Sequence, residues 1–83
     1  MILNIYAIKD EKVPCYTQLR TAPSDGVAIR NMKVLIDAEQ SGDFGKFSDD
    51  FKLYKLGSYD TETGDLKPDF QYVMDFNTIK ELA

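Results

Sequence analysis

Catalysis needs side chains that move protons, attack carbon or phosphorus, or hold a metal, and this sequence has few of them. It contains no histidine, which removes the commonest neutral-pH acid/base and the commonest transition-metal ligand. The single cysteine, Cys15, has no imidazole partner and reads as a small, partly buried hydrophobe. Gly57 and Gly64 flank an acidic stretch and do not form a phosphate-cradling loop. The segment Asp60-Thr61-Glu62-Thr63-Gly64-Asp65 offers the oxygen donors of a Ca²⁺ or Mg²⁺ loop without the ligand spacing, and reads as a plain hairpin turn. Asp49-Asp50 reads as a solvated pair that precedes or caps a strand beginning at Phe51. The expectation is therefore no catalytic residue, no metal, no cofactor and no enzymatic role.

The chemistry that does stand out is binding. Basic residues alternate with aromatic ones: Tyr54 lies between Lys52 and Lys55, Tyr6 precedes Lys9, and Tyr16 precedes Arg20. A central segment adds Arg30 and Lys33. Proteins that hold single-stranded nucleic acid place rings for base stacking beside cations for phosphate. Tyr6, Arg30, Lys33, Lys52, Tyr54 and Lys55 form the candidate interface on this reading, with phosphates on the Lys and Arg side chains and bases on the rings. The alternative for the tyrosines is packing in the core or in cross-strand pairs.

Composition sets the limits. The chain has 83 residues and a net charge of −4, from 14 acidic against 10 basic side chains. That balance argues mildly against general phosphate binding and leaves room for a local basic groove. An 83-residue chain is one domain with a thin core. Its aromatic fraction of 12%, five Phe and five Tyr, carries much of the buried area. A thin core also favours a homo-oligomer, with a dimer the commonest form. One cysteine makes no internal disulfide, which fits a reducing compartment. The opening MILNIYAIKD lacks the basic region and cleavage pattern of a signal peptide. No run reaches the ~18–20 apolar residues of a membrane span, so no membrane partner is expected.

These residues must be positioned by a small set of elements. Ile2–Ile8 is apolar on both faces and reads as a central strand. Val13–Leu19 pairs with it as a hairpin, with Pro14 at its start or on an edge. Ser24 is the expected N-cap of a helix over Asp25–Glu39 whose inner face is Ala28, Ile29, Met32, Leu35 and Ile36, with Gly42 as a candidate C′ residue. Phe44 and Phe47 are aromatic anchors in a loop or single turn. A strand over Phe51–Leu56, a turn over Gly57–Gly64 with Gly64 left-handed, and a short return strand over Asp65–Asp69 held to the edge by Pro68 come next. Residues 70–83 read as a C-terminal arm or tail of the domain formed by residues 1–69, with Phe70–Phe76 a last strand or extended arm and a helical turn near Asn77–Leu82. The expected class is α+β: a small antiparallel or mixed sheet of about four strands with one main helix packed on it.

Three stretches also resemble a known family. They are Ile5-Tyr6-Ala7-Ile8-Lys9-Asp10, the helix with Ala28-Ile29-Arg30, and the ordered block Asp50-Phe51-Lys52-Leu53-Tyr54-Lys55-Leu56-Gly57-Ser58-Tyr59-Asp60 followed by Thr63-Gly64. Together they resemble the small non-structural protein of gokushovirus-type microviruses, which are single-stranded DNA phages. The resemblance runs to about Pro68. It implies a protein of the infected bacterial cytoplasm that is absent from the virion. By analogy with protein C of better-known microviruses, it implies binding to single-stranded DNA, or to phage or host replication proteins, as the genome is copied into single strands and packaged. It supplies no site residues. The alternative of another class is a non-enzymatic protein–protein adaptor in phage assembly or host-factor modulation, which aromatic content and acidic charge suit about equally well.

Overall fold

A computed structural model of the chain describes residues 1–38 and 43–82. Strand β1 spans Ile2–Asp10 and turns back through an Asp10-anchored turn into β2, Cys15–Ala22. The Asp10 carboxylate accepts from the backbone N–H groups of Lys12 and Val13 at 2.9 and 3.3 Å, which closes that turn without a glycine. Helix α1 covers Asp25–Ala38. Ser24 caps it as expected, its Oγ accepting from the Val27 N–H at 3.3 Å. The expected helix end at Glu39 and the Gly42 cap lie outside the described residues.

A short helix α2, Asp43–Lys46, and a 3-10 turn, Ser48–Asp50, lead into β3, Phe51–Asp60. A tight turn then returns the chain as β4, Leu66–Asp75, and helix α3 closes it over Phe76–Lys80. Gly64 takes φ 77° in that turn, the left-handed value its position requires. Its N–H donates to the Asp60 carbonyl at 2.7 Å, and the Asp60 carboxylate accepts from the Glu62 N–H at 2.8 Å. The Asp60–Asp65 segment is thus the closing turn of a hairpin.

The four strands form one sheet in the order β2-β1-β3-β4, antiparallel throughout. β1 is internal, as its apolar faces imply. Helix α1 packs on one side of the sheet, where Ala28, Met32 and Ile36 meet Tyr6, Ile8, Ala22 and Leu53. Ile29 and Leu35 flank this contact. Phe44, Phe51 and Phe76 extend the core with ring centroids 4.9, 5.5 and 5.9 Å apart. Phe47, the other expected anchor, is half exposed.

The C-terminal segment is a strand and a helical turn, one of the expected alternatives, but not an arm set apart from residue 69. The boundary between residues 69 and 70 falls inside β4, and Phe76 and Ile79 are fully buried. Residues 70–82 are the second half of an edge strand and a helix built into the core. An edge position tolerates the missing N–H of Pro68, so Pro68 does not shorten the strand. Asp75 caps α3 by accepting from the Thr78 N–H at 3.1 Å, a bond that draws its carboxyl below the usual range. Cys15 is also corrected: it is exposed, at the start of β2 where β2 pairs with the end of β1.

Candidate nucleic-acid interface

Strand alternation divides the sheet's side chains between a covered and an open side. Tyr6 and Ile8 point toward α1, so Ile5, Ala7 and Lys9 point away from it. Directly paired residues share a side, which places Lys9 with Tyr16 and Lys52, and Ala7 with Tyr54. Tyr54 in turn pairs with Tyr72 of β4.

Four rings gather on this open side. Tyr54 is the hub, with centroids 5.7 Å from Tyr16, 5.5 Å from Tyr72 and 5.2 Å from Phe70, the last contact stacked at 21°. Tyr16 and Phe70 also meet edge to face at 5.9 Å. Those two rings come from β2 and β4, the opposite edges of the sheet. They can meet because Ala7 stands between them on β1 with a single methyl group. Ala7 is 2% exposed, so the rings close over it. The rings themselves stay open to solvent: Tyr16, Phe70 and Tyr72 are 45%, 59% and 54% exposed.

Cations border the rings. Lys9 Nζ lies 5.8 Å from the Tyr16 centroid and 5.9 Å from that of Tyr54, within cation–π range. Lys52 lies beside it on β3. Glu11 bridges the two, 3.6 Å from Lys9 Nζ and 3.3 Å from Lys52 Nζ. Its hydrogen bond and charge push the Lys52 ammonium above its usual value. Glu11 is held there because its N–H donates to the Asp50 carbonyl at 2.8 Å.

The six residues singled out from sequence therefore separate. Lys52 and Tyr54 lie on the open face. Tyr6 does not: it is 1% exposed beneath α1, its hydroxyl donating to Asp25 at 2.5 Å and accepting from Asn4 Nδ2 at 3.0 Å. Burial and the Asp25 bond raise that phenol to about 12. Lys55 alternates to the covered side and pairs with Asp69 at 3.2 Å. Arg30 and Lys33 ride on α1, on the far side of the sheet from the rings. Lys33 Nζ donates to Asp37 at 3.1 Å and to the Lys80 carbonyl at 2.9 Å, tying α1 to α3. The six candidates left out Lys9 and Tyr16, which the basic–aromatic pattern includes, and the pattern itself missed Phe70 and Tyr72. A period-two spacing, Phe70-x-Tyr72 opposite Tyr54, was the available signal.

The rest of the open face is aliphatic. Ile5, Leu19, Leu56, Leu66 and Pro68 line a shallow groove of about 310 Å³, and Leu19 and Leu66 are 70% and 65% exposed. At its floor β3 and β4 approach closely: a Cβ on Gly57 would lie 2.4 Å from the Lys67 carbonyl oxygen. Among the described residues, no helix is long and apolar enough to cross a membrane.

The chain is thus a four-stranded antiparallel sheet backed on one side by helices, with aromatic and cationic groups on the other. A family model described as Phage ORF5 protein matches residues 3–79, so the chain belongs to that family of phage proteins. No curated protein and no solved structure matches it.

Proposed function

We propose that this phage protein binds single-stranded DNA on the open face of its sheet, without a catalytic step. The observation that carries the reading is the ring cluster around Lys9: Tyr16, Tyr54, Phe70 and Tyr72 gathered from three strands, with Tyr54 half-buried among three exposed rings and Lys52 at the border. Unpaired bases have free faces for such rings, and stacking contributes ~1–3 kcal/mol per base. Paired bases do not offer them, so the face should prefer single strands. The resemblance to gokushovirus-type microviruses gives the setting: the infected bacterial cytoplasm, during single-strand genome synthesis and packaging.

The aliphatic end of the same face favours a second reading, a protein–protein adaptor in phage assembly or host-factor modulation. Leu19 and Leu66 lie there at high exposure, and the groove between them is largely aliphatic, with Lys67 the one charged residue among those described in its lining.

Fluorescence anisotropy separates the two. The probe is a labelled single strand of roughly 30 nucleotides, longer than the ~4–16 nucleotides such platforms cover, with matched duplex as control. The expected result is saturable, salt-sensitive binding that prefers the single strand. Tyr54→Ala should weaken it about 5- to 150-fold, the equivalent of ~1–3 kcal/mol. Lys55→Ala, on the other side of the sheet, should leave it within about twofold, well under 1 kcal/mol. Absence of binding at high protein concentration and low salt overturns the DNA reading in favour of the adaptor.

A further inference from the structure

The open face belongs to a structure only two layers deep, whose Cα atoms extend 16 Å in the thinnest direction. All of its helical packing is on one side of the sheet. The other side carries Ile5, Leu19, Leu56, Leu66 and Pro68 at one end and four aromatic rings at the other. Monomeric proteins rarely leave so continuous an apolar surface bare. We propose that a second copy of this chain covers this face, sheet against sheet, and that single-stranded DNA competes with it for the aromatic end.

Area and charge both point to a second copy. Four strands at ~4.8 Å spacing and about nine residues at ~3.3 Å rise give a face of roughly 600 Å² in projection, and more once side-chain relief is counted. A standard stable interface buries ~800 Å² per partner, so the face is of the right size when used whole. Its two ends differ in charge. Lys9 and Lys52 stand at the aromatic end. Asp60, Glu62 and Asp65 stand in the turn at the aliphatic end, where the Met1 amine lies 3.8 and 3.9 Å from Asp60 and Glu62. A two-fold axis parallel to the strands would stack the acidic turns of the two copies and bring their lysines together. An axis across the strands avoids both clashes. It lays the rings of each copy over the aliphatic groove of the other and each lysine pair toward an acidic turn. Leu19, which lies across from the middle of β1, then sits close to the axis. The interface is isologous and closes at two copies.

The dimer stands without the DNA reading; the competition rests on it. Sedimentation of the full chain across a wide concentration range tests the dimer, first with no DNA present. The expected result is a dimer that Leu19→Lys and Leu66→Lys each convert to monomer. Both side chains are already exposed, so the variants should keep wild-type circular dichroism. A wild-type chain that stays monomeric at high concentration, or a dimer that both variants leave intact, overturns the inference. Monomeric Leu19→Lys then reports on DNA by itself: it should bind a short oligothymidylate more tightly than wild type, because no second copy must leave. Equal affinity, or a wild-type dimer that persists when saturated with the oligonucleotide, overturns the competition and leaves the DNA reading standing. Loss of binding in the folded monomer overturns both the competition and the placement of DNA on this face.

Discussion

Replacing Tyr6 by Phe removes one oxygen from a side chain that is 1% exposed. That oxygen donates to Asp25 and accepts from Asn4. A hydrogen bond to a charged group contributes ~1.5–3 kcal/mol, but Asp25 lies at an exposed helix start and water can replace the phenol there. The net cost below pH 10 should be about 1–2 kcal/mol, or roughly 4–15 °C in Tm for a domain of this size. The fold favours the neutral phenol, raising it from 10.0 to about 12. Its stabilisation is therefore fully present below pH 10 and is lost as pH rises toward about 12. A shift of that size corresponds to about 2–3 kcal/mol across the window. Lys52, raised chiefly by its hydrogen bond to Glu11, loses its contribution in the same alkaline range. It does so in both proteins, so it cancels in their difference. Urea unfolding of wild type and Tyr6→Phe, run stepwise from neutral pH upward, should show a stability gap that holds to pH 10, closes above it and is inverted by about pH 12, because wild type alone loses the larger ionisation term. A gap that stays constant through that range would falsify the assignment of the buried phenol. Affinity for single-stranded DNA near neutral pH should be the same in the two proteins, because Tyr6 faces α1.

Further expectations concern backbone and charge. Gly57→Ala places a Cβ 2.4 Å from the Lys67 carbonyl oxygen and 3.2 Å from Pro68 Cα, both backbone atoms, so β3 and β4 must spread. The cost should be ~1–3 kcal/mol, seen as a lower Tm and faster amide exchange in β4; an unchanged Tm would show that the approach is looser than this. Glu11→Gln releases Lys9 and Lys52 from their shared carboxylate. Single-strand binding should tighten, and the slope of log K against log salt should steepen by about 0.7 for each added phosphate contact. Weaker binding, or an unchanged slope, would show that these lysines do not meet phosphate.

Much of the fold can be read from local signals. Ser24 before an apolar stripe starts α1, and Gly64 in an acidic turn closes the last hairpin. The apolar residues on both sides of β1 indicate a central strand. That same pattern hides which side meets the helix, since alternation is informative only when one face is polar. Tyr6 and Tyr54, both read as part of one interface, stand on opposite faces for this reason. Lys52, Tyr54 and Lys55 form a compact cluster in sequence, but period two removes Lys55 from it. Phe70 and Tyr72 lay in a segment read as a separate last strand or an arm, because Pro68 was taken to keep the preceding strand short. Their meeting with Tyr16 depends on strand order and on the small side chain of Ala7, neither of which has a local signature.

The proposed DNA-binding face and the acidic chain are not in contradiction once the carboxylates are located. Asp25 accepts from Tyr6, Asp37 from Lys33 and Asp75 from α3, while Asp69 pairs with Lys55. Asp60, Glu62 and Asp65 sit in the hairpin turn at the opposite end of the sheet from Lys9 and Lys52. The run of β1 from Ile2, which pairs with Asp60, to Lys9, at ~3.3 Å per residue, puts that turn more than about 20 Å from the lysines. That is beyond the ~8 Å over which charge is felt at physiological salt. Glu11 contacts both lysines and Asp75 stands across from Lys52 on β4, so the charge a phosphate would meet is set by these groups and not by the total of −4. Among the described residues two lysines border the rings, with Glu11 and Asp75 beside them, so on the proposed reading stacking supplies most of the affinity. The salt dependence should accordingly be shallow beside that of a basic protein, and the rings should matter more than the charges.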